Sequence, residues 1–319
     1  MKILITVPFT QKQKERLQAQ MPGADYTYTT RIKATDDQIR EADIILGNLP
    51  VGRLSQAAHL KWLQLNSSGA DAYAADGVLA SDTALTNATG AYGLAISEHL
   101  LATTFFLKKK LGKYYRNQKE REWKDEGQVT AIAGSRTLVL GLGSIGGDYA
   151  RKMALLGSRV IGIRRTKAAC PDYLEEIGTF EDIDRFLPEA DIVAMALPNT
   201  PQTYHIMNEE RLSGMKRGSI LLNVGRGTAI DQDALVKVLR NGPLAGASID
   251  VTDPEPLPAD HPLWRCENLL LTPHIAGDYH LQETLDQIVE LFIDNLGRYA
   301  RGKELRNPVD KKTGYRKTQ

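Results

Sequence analysis

Three segments of the sequence bring reactive side chains together with glycine or proline. Arg226 lies between Gly225 and Gly227 in ILLNVGRGTAIDQDAL, Asp250 and Glu255 lie in ASIDVTDPEPLPADHPLW, and His274 follows Pro273 in NLLLTPHIAG. Each segment begins with an apolar run that reads as a strand, so each reactive group falls at a carboxyl end, where open α/β sheets bind ligands. A guanidinium can hold a carboxylate and polarise a carbonyl as negative charge builds on its oxygen. An imidazole can then deliver a proton to that oxygen, or act as base in the reverse direction. Glu255 can bond the other ring nitrogen, fix the ring's orientation and favour its protonated form. Reduction of a 2-oxo acid makes these demands, with Arg226 as the cation and His274 as the acid. Singly, each residue has an ordinary role: Arg226 as a strand-end ion pair, Glu255 as a solvated loop acid, His274 as a strand cap, Asp250 as a turn residue. Their order on successive strand ends gives the set its meaning.

A fourth segment supplies a place for a phosphate. LVLGLGSIGGDYARKMALLGSRVIGIRR contains Gly141, Gly143 and Gly146 in GxGxxG spacing, after an apolar run and before a helical pattern and a second apolar run. In that context Gly141 serves a tight turn, Gly143 lets the backbone approach a pyrophosphate, and Gly146 lets the helix pack on the strand. Ser144 and Ile145 fall at the helix start, whose unpaired N–H groups favour an anion. The next strand end, where an acid usually bonds a ribose 2′-hydroxyl, carries Arg164, Arg165 and Thr166 instead. Guanidinium groups grip a 2′-phosphate that a carboxylate would repel. The expectation is NADP(H) in preference to NAD(H), with NAD(H) still usable.

These groups need a parallel scaffold. KILITV, DIIL, WLQL and the run ending at Thr86 read as strands in the first third. TLVLGLG, RVIGI, DIVAMAL, SILLNV, LAGASIDV and NLLLTPH form a second series over about 140 residues, the rhythm of a doubly wound dinucleotide-binding domain. Residues from about Ala95 to Lys119 read as one long connecting helix, with Lys108, Lys109 and Lys110 on a solvated face. Leu281, Leu285, Ile288, Val289, Phe292 and Leu296 share one face of a last helix that needs an apolar surface. The proline-rich stretch Asp253–Pro262 reads as an ordered loop.

With 319 residues, the chain has room for two domains. A net charge of +1 gives no reason to expect nucleic acid or an acidic membrane surface. Two cysteines, Cys170 and Cys266, lack metal or disulfide-framework spacing, so no metal is expected. The short apolar N-terminal run, broken at Pro8, reads as a strand, and no run approaches the roughly 20 residues of a membrane span. A cytoplasmic protein is expected.

Gly141 to Gly146, Asn223-Val-Gly-Arg-Gly227, Asp250-Val-x-x-x-Glu255-Pro and Thr272-Pro-His-Ile-Ala-Gly277 together resemble the D-isomer-specific 2-hydroxyacid dehydrogenases, over nearly the whole chain. The separation of Arg226 and Glu255 (255 − 226 = 29) fits that family's pattern as well. The resemblance implies two doubly wound α/β domains, a Rossmann domain inserted in a flavodoxin-like substrate domain. The expected boundaries are 1–98 and 283–319 for the substrate domain and 99–282 for the dinucleotide-binding domain. It further implies a triad of Arg226, Glu255 and His274, and a nicotinamide carboxamide contact from Asp250. Leu197, Pro198, Thr203, Val224, Gly225 and Gly277 would line the cofactor, and Ser67, Ser68 and Gly69 would hold the substrate carboxylate. Domain closure, a homodimer and D-stereospecificity are implied too. The absent acid at Arg164 looks like the NADP-using glyoxylate and hydroxypyruvate reductases. Asp278-Tyr279-His280 departs from the family's usual small hydroxyl residue after the glycine. Because the chain stops at Gln319, a C-terminal regulatory domain is not expected. Tyr92 and Trp123 read as packing residues, with a role at the substrate pocket as the alternative.

Other readings of the same fold are a cofactor-sensing binding protein similar to the C-terminal-binding corepressors, an NAD-dependent phosphoglycerate dehydrogenase-like enzyme without a regulatory domain, and a dehydrogenase for another substrate such as phosphite. Turnover of 2-oxo acids separates the first of these from an enzyme, because function lives in the site.

Overall fold

The computed structural model describes residues 1–311; the expected C-terminal tail from 312 onward lies outside the described residues. Contacts divide the chain into one unit of Met1–Tyr92 with Asp278–Gln319 and another of Gly93–Gly277. The boundaries expected at 98/99 and 282/283 fall a few residues further along. The first of them would cut a continuous helix, and the second would detach Asp278–Gln282 from the unit it packs in.

The first unit is a five-stranded parallel sheet of β1 (Lys2–Ile5), β2 (Asp25–Tyr28), β3 (Ile44–Leu46), β4 (Trp62–Gln64) and β5 (Ala84–Thr86), in the order β2-β1-β3-β4-β5. This is the flavodoxin-like order. The helices between the strands are α1 (Gln11–Gln18), α2 (Asp36–Glu41), α3 (Val51–Leu54) and α4 (Asp71–Ala74). Thr10 and Thr35 start α1 and α2 with capping boxes closed by Gln13 and Gln38. Leu4, Ile45, Leu63 and Leu85 pack one face of the sheet into a core with Ile39, Leu49 and Leu54. Strand β2 has no counterpart in the sequence reading. Its residues, DYTY, alternate polar and aromatic, but the run is four residues long on a sheet edge and its apolar members are two half-buried tyrosines, a weak signal beside the aliphatic runs of the other strands.

The second unit begins with α5 (Gly93–Lys108) and α6 (Leu111–Glu120). The single long helix expected over Ala95–Lys119 is broken, because Lys110 adopts a left-handed φ of 55° and its Nζ donates to Glu126 O. Nor is the lysine run a solvated face: Lys108 is buried, and desolvation pulls its pKa below the usual lysine range. The parallel sheet that follows contains β6 (Arg136–Leu140), β7 (Arg159–Ile163), β8 (Glu176–Gly178), β9 (Ile192–Met195), β10 (Ile220–Asn223), β11 (Gly246–Ile249) and β12 (Leu269–Leu271). Its order is β12-β11-β10-β9-β6-β7-β8, so the connections reverse direction between β6 and β9. Alternate residues feed two cores: Leu138 and Leu140 on one face, Val139 and Ile192 on the other. Helices α7 (Ser144–Leu155), α8 (Ile183–Phe186), α9 (Glu209–Ser213) and α10 (Gln232–Asn241) complete the unit. Strand β8, a three-residue half-buried edge, is the other strand absent from the sequence reading.

The chain ends in the first unit with α11 (Gln282–Ala300). Its buried Ile288, Val289, Phe292 and Leu296 supply the predicted apolar face. Phe292 stacks on Phe9, Tyr299 stacks on Trp62, and Asn295 Nδ2 donates to Gln64 Oε1 at 2.7 Å. Among the described residues, no helix is long and apolar enough to cross a membrane.

Candidate active site

In the second unit the glycine loop lies at the β6 carboxyl end, on the reversal point of the sheet. Its three glycines meet three different constraints. Gly141 has φ +96°, and a methyl there would come within 2.7 Å of Ala196 O. At Gly146 a methyl would fall 1.9 Å from Gly141 O, so only glycine lets α7 lie this close to its own loop. Gly143 is different: it caps α7, and a methyl on it would meet no atom within 4 Å. Neither packing nor strain demands a glycine there, which leaves the approach of a ligand as the reason. No side chain caps α7 and its first turn, with Ser144 and Ile145, holds no acid, so its leading N–H groups suit a pyrophosphate. These residues fit a dinucleotide. Past the end of β7, Arg164, Arg165 and Thr166 are exposed, and among the described residues neither guanidinium forms an ion pair.

Further along the sheet, β10, β11 and β12 are parallel neighbours, and the predicted chemical groups follow their carboxyl ends in turn. After β10, Asn223 holds a turn: its Oδ1 accepts from Gly225 N–H at 3.0 Å and its Nδ2 donates to Arg226 O at 3.0 Å. Arg226, half-buried, donates from Nη1 to Gly225 O at 2.8 Å. Gly225 packs on Leu197, and Gly227 lies so close to Thr252 that a methyl would fall 2.1 Å from its carbonyl carbon. Arg226 is thereby tied by backbone contact to the loop that carries Glu255.

Glu255 is shared. Its Oε1 accepts from Thr252 N–H at 3.0 Å, and its Oε2 lies 2.8 Å from His274 Nδ1. An ionised carboxylate only accepts, so the proton between them resides on Nδ1 and the outward Nε2 is the nitrogen able to exchange a proton. A cavity of about 580 Å³ lies against this pair, bounded by Leu257, Trp264, Leu271 and Pro273, and Arg226 is not part of its lining. Asp250 is buried behind His274, facing the 272–276 turn.

The remaining predicted residues separate into groups. Thr203 is 1% exposed and its hydroxyl donates to Pro198 O at 2.6 Å, so this side chain folds the loop after β9. Leu197 is buried, Val224 half-buried, and Gly277 closes the second unit. Ser67, Ser68 and Gly69 belong to the first unit, where Ser67 Oγ donates to Gly69 O at 2.7 Å and Asn87 Nδ2 donates to Ser68 O at 2.7 Å. Tyr92, also there, is buried with its hydroxyl on Asn66 O, and burial pushes its pKa well above the usual tyrosine range. Trp123 is fully exposed, so packing within its own chain does not account for it. Thr272 and Thr252 took no role in the sequence reading; a hydroxyl directly before the Pro-His pair was the available signal for the first.

Residues 101–276 match the model described as the D-isomer-specific 2-hydroxyacid dehydrogenase, NAD binding domain. A glyoxylate reductase of Korarchaeum cryptofilum is 34% identical over 228 residues, 69% of this chain and 67% of that protein. A D-isomer-specific 2-hydroxyacid dehydrogenase family protein from Aeromonas salmonicida has a similar structure, with TM-score 0.86, 30% identity, and coverage of 97% of this chain and 99% of that one. A D-isomer-specific 2-hydroxyacid dehydrogenase from Xanthobacter autotrophicus, solved in complex with NADPH and MES, gives TM-score 0.81 and 30% identity over 98% of this chain and 99% of that one.

Proposed function

This chain belongs to the D-isomer-specific 2-hydroxyacid dehydrogenase family, and from that premise we propose an enzyme that reduces a small 2-oxo acid, of the glyoxylate or hydroxypyruvate kind, to the D-2-hydroxy acid with NADPH. It is an NAD(P)-binding oxidoreductase; the substrate and the preference for the phosphorylated cofactor are the proposed parts. The single observation that carries the chemistry is the 2.8 Å pair of Glu255 and His274 Nδ1, which leaves Nε2 as the ring nitrogen free to exchange a proton.

The glycine loop and the start of α7 would hold the pyrophosphate of a reduced nicotinamide dinucleotide, which would supply the hydride. Arg226 pairs with the substrate carboxylate and stabilises the charge that grows on the ketone oxygen. His274 delivers the Nε2 proton to that oxygen, and Glu255 stabilises the imidazolium before the transfer and orients the ring throughout. Ser67, Ser68 and Gly69 take the substrate carboxylate through backbone amides. Thr203, Leu197, Pro198, Val224, Gly225 and Gly277 shape the cofactor's surroundings from their loops. Arg164 and Arg165, exposed and without carboxylate partners among the described residues, support the 2′-phosphate preference. A homodimer is part of the proposal, supported by Phe105, Leu111, Tyr115, Trp123 and Val129, large apolar groups exposed along one stretch of chain. So is a cytoplasmic location, which two free cysteines suit.

Initial rates with NADPH and NADH against a panel of 2-oxo acids test the proposal. Turnover of glyoxylate or hydroxypyruvate with a lower KM for NADPH is the expected result. No turnover on the whole panel overturns the activity, and a clear NADH preference overturns the cofactor assignment.

A further inference from the structure

We infer that Asp250 is a positioning residue, and that its carboxylate with the Thr272 hydroxyl forms a latch holding the backbone turn that presents His274. Family resemblance assigns Asp250 a cofactor contact; the geometry gives it other work. Asp250 is 3% exposed and its own N–H donates to Asn223 O at 2.9 Å, which fixes it to β10. Its Oδ1 accepts from Thr272 Oγ1 at 2.6 Å and from Ile275 N–H at 2.9 Å, and its Oδ2 accepts from Ala276 N–H at 3.0 Å. Its carbonyl accepts from His274 N–H at 2.8 Å. Every polar group of this one residue is thus engaged, and all but its N–H face the turn around His274.

The turn needs such holding. His274 has φ +54°, the left-handed region that a non-glycine residue occupies at a cost. Its side chain is 51% exposed, and among the described residues its ring has one hydrogen-bond partner, Glu255, which is itself 38% exposed. Few contacts therefore locate the ring from outside. Its position follows from the backbone, and the backbone follows from the carboxylate. His99, on α5, lies within reach of the Asp250 charge, and among the described residues its buried Nε2 has no hydrogen-bond partner.

Thr272→Val tests the latch, because it removes one bond to Oδ1 while leaving Asp250 free to contact a cofactor. The inference rests on the proposed reductase only for its kinetic readout. With NADPH saturating, Thr272→Val should lower kcat between about tenfold and a hundredfold, as a misplaced acid does, while the NADPH Kd stays within about twofold. Thr272→Ser should restore kcat. Asp250→Asn, which cannot accept every N–H that the carboxylate accepts, should lower kcat at saturation as well. Circular dichroism checks folding, and Thr272→Ala is the second variant should the valine disturb it. Histidine-imidazole NMR, with His274 assigned by His274→Gln, supplies a readout independent of turnover: the His274 resonances should shift or broaden in Thr272→Val and recover in Thr272→Ser. Native kcat in both Thr272→Val and Asp250→Asn, with only the NADPH Kd raised in the latter, overturns the latch and leaves Asp250 a cofactor ligand. An unchanged His274 resonance in Thr272→Val also overturns it. A wild type inactive on every 2-oxo acid, with the His274 resonance still sensitive to Thr272, removes the proposed function and keeps the latch.

Discussion

Substituting Gly143 by alanine separates folding from cofactor binding at a single methyl group. Gly143 has φ −72° and ψ −166°, extended backbone that alanine adopts without strain, and the added carbon would meet no atom within 4 Å. Gly143→Ala should therefore leave the free protein as stable as before, or more stable by about 0.4–1 kcal/mol through the less flexible unfolded chain. A pyrophosphate on the α7 N–H groups needs the space the methyl fills. Its displacement should weaken NADPH at least about tenfold, or 1.4 kcal/mol. Gly146→Ala supplies the opposite case, since its methyl would fall 1.9 Å from Gly141 O and must push α7 off its loop. A loss of about 1–3 kcal/mol in stability is expected there, in line with overpacking elsewhere. Thermal unfolding of the free proteins and fluorescence titration with NADPH measure the two quantities. Native NADPH affinity in Gly143→Ala would refute the cradle, and a clear drop in its Tm would refute the claim that the space beside Gly143 is open.

Replacing Arg164 and Arg165 together with alanine should raise the NADPH Kd about tenfold or more and barely move that of NADH; equal losses for both would remove the 2′-phosphate assignment. Asn295→Ala strips partners from Gln64 Oε1, Arg306 N–H and Arg306 O in the buried seam under α11, and a loss of about 2 kcal/mol by urea unfolding is expected. Burial lowers the pKa of His99 below its ordinary 6.5. The folded protein thus binds this proton less readily than the unfolded chain, so the stability is present above about pH 6.5 and is lost as the pH falls through the folded value. His99→Gln should flatten the fall in Tm between pH 7 and pH 5, and an unchanged slope would contradict the role given to burial.

What could be read from the sequence divides along physical lines. The need for glycine at 141 and 146 was legible because turn geometry and close packing admit few residue types, and the approach of Glu255 to His274 was legible because an imidazole poised for proton transfer wants a carboxylate on its other nitrogen. Central strands such as RTLVL and ILLN were legible as buried apolar runs. The edge strands β2 and β8 were not, because they are only four and three residues long and their half-buried edges carry polar residues rather than aliphatic runs. The break between α5 and α6 turns on the φ of Lys110, a residue type that seldom takes that conformation, and Gly112 two residues on was the one available signal. Lys108 was misread because a charge run says nothing of which member a tertiary fold buries. The Asp250–Thr272 latch joins residues 22 apart in sequence, a pairing that only the β11–β12 register creates.

In the proposed reaction His274, oriented by Glu255, is the acid that protonates the reduced carbonyl. The most direct measurement is kcat for His274→Ala beside the wild type, with hydroxypyruvate and saturating NADPH, and with the product's chirality determined. A fall of about 10²–10⁴ with little change in KM, and D-product from the wild type, is the predicted result. Near-native turnover by His274→Ala would contradict it.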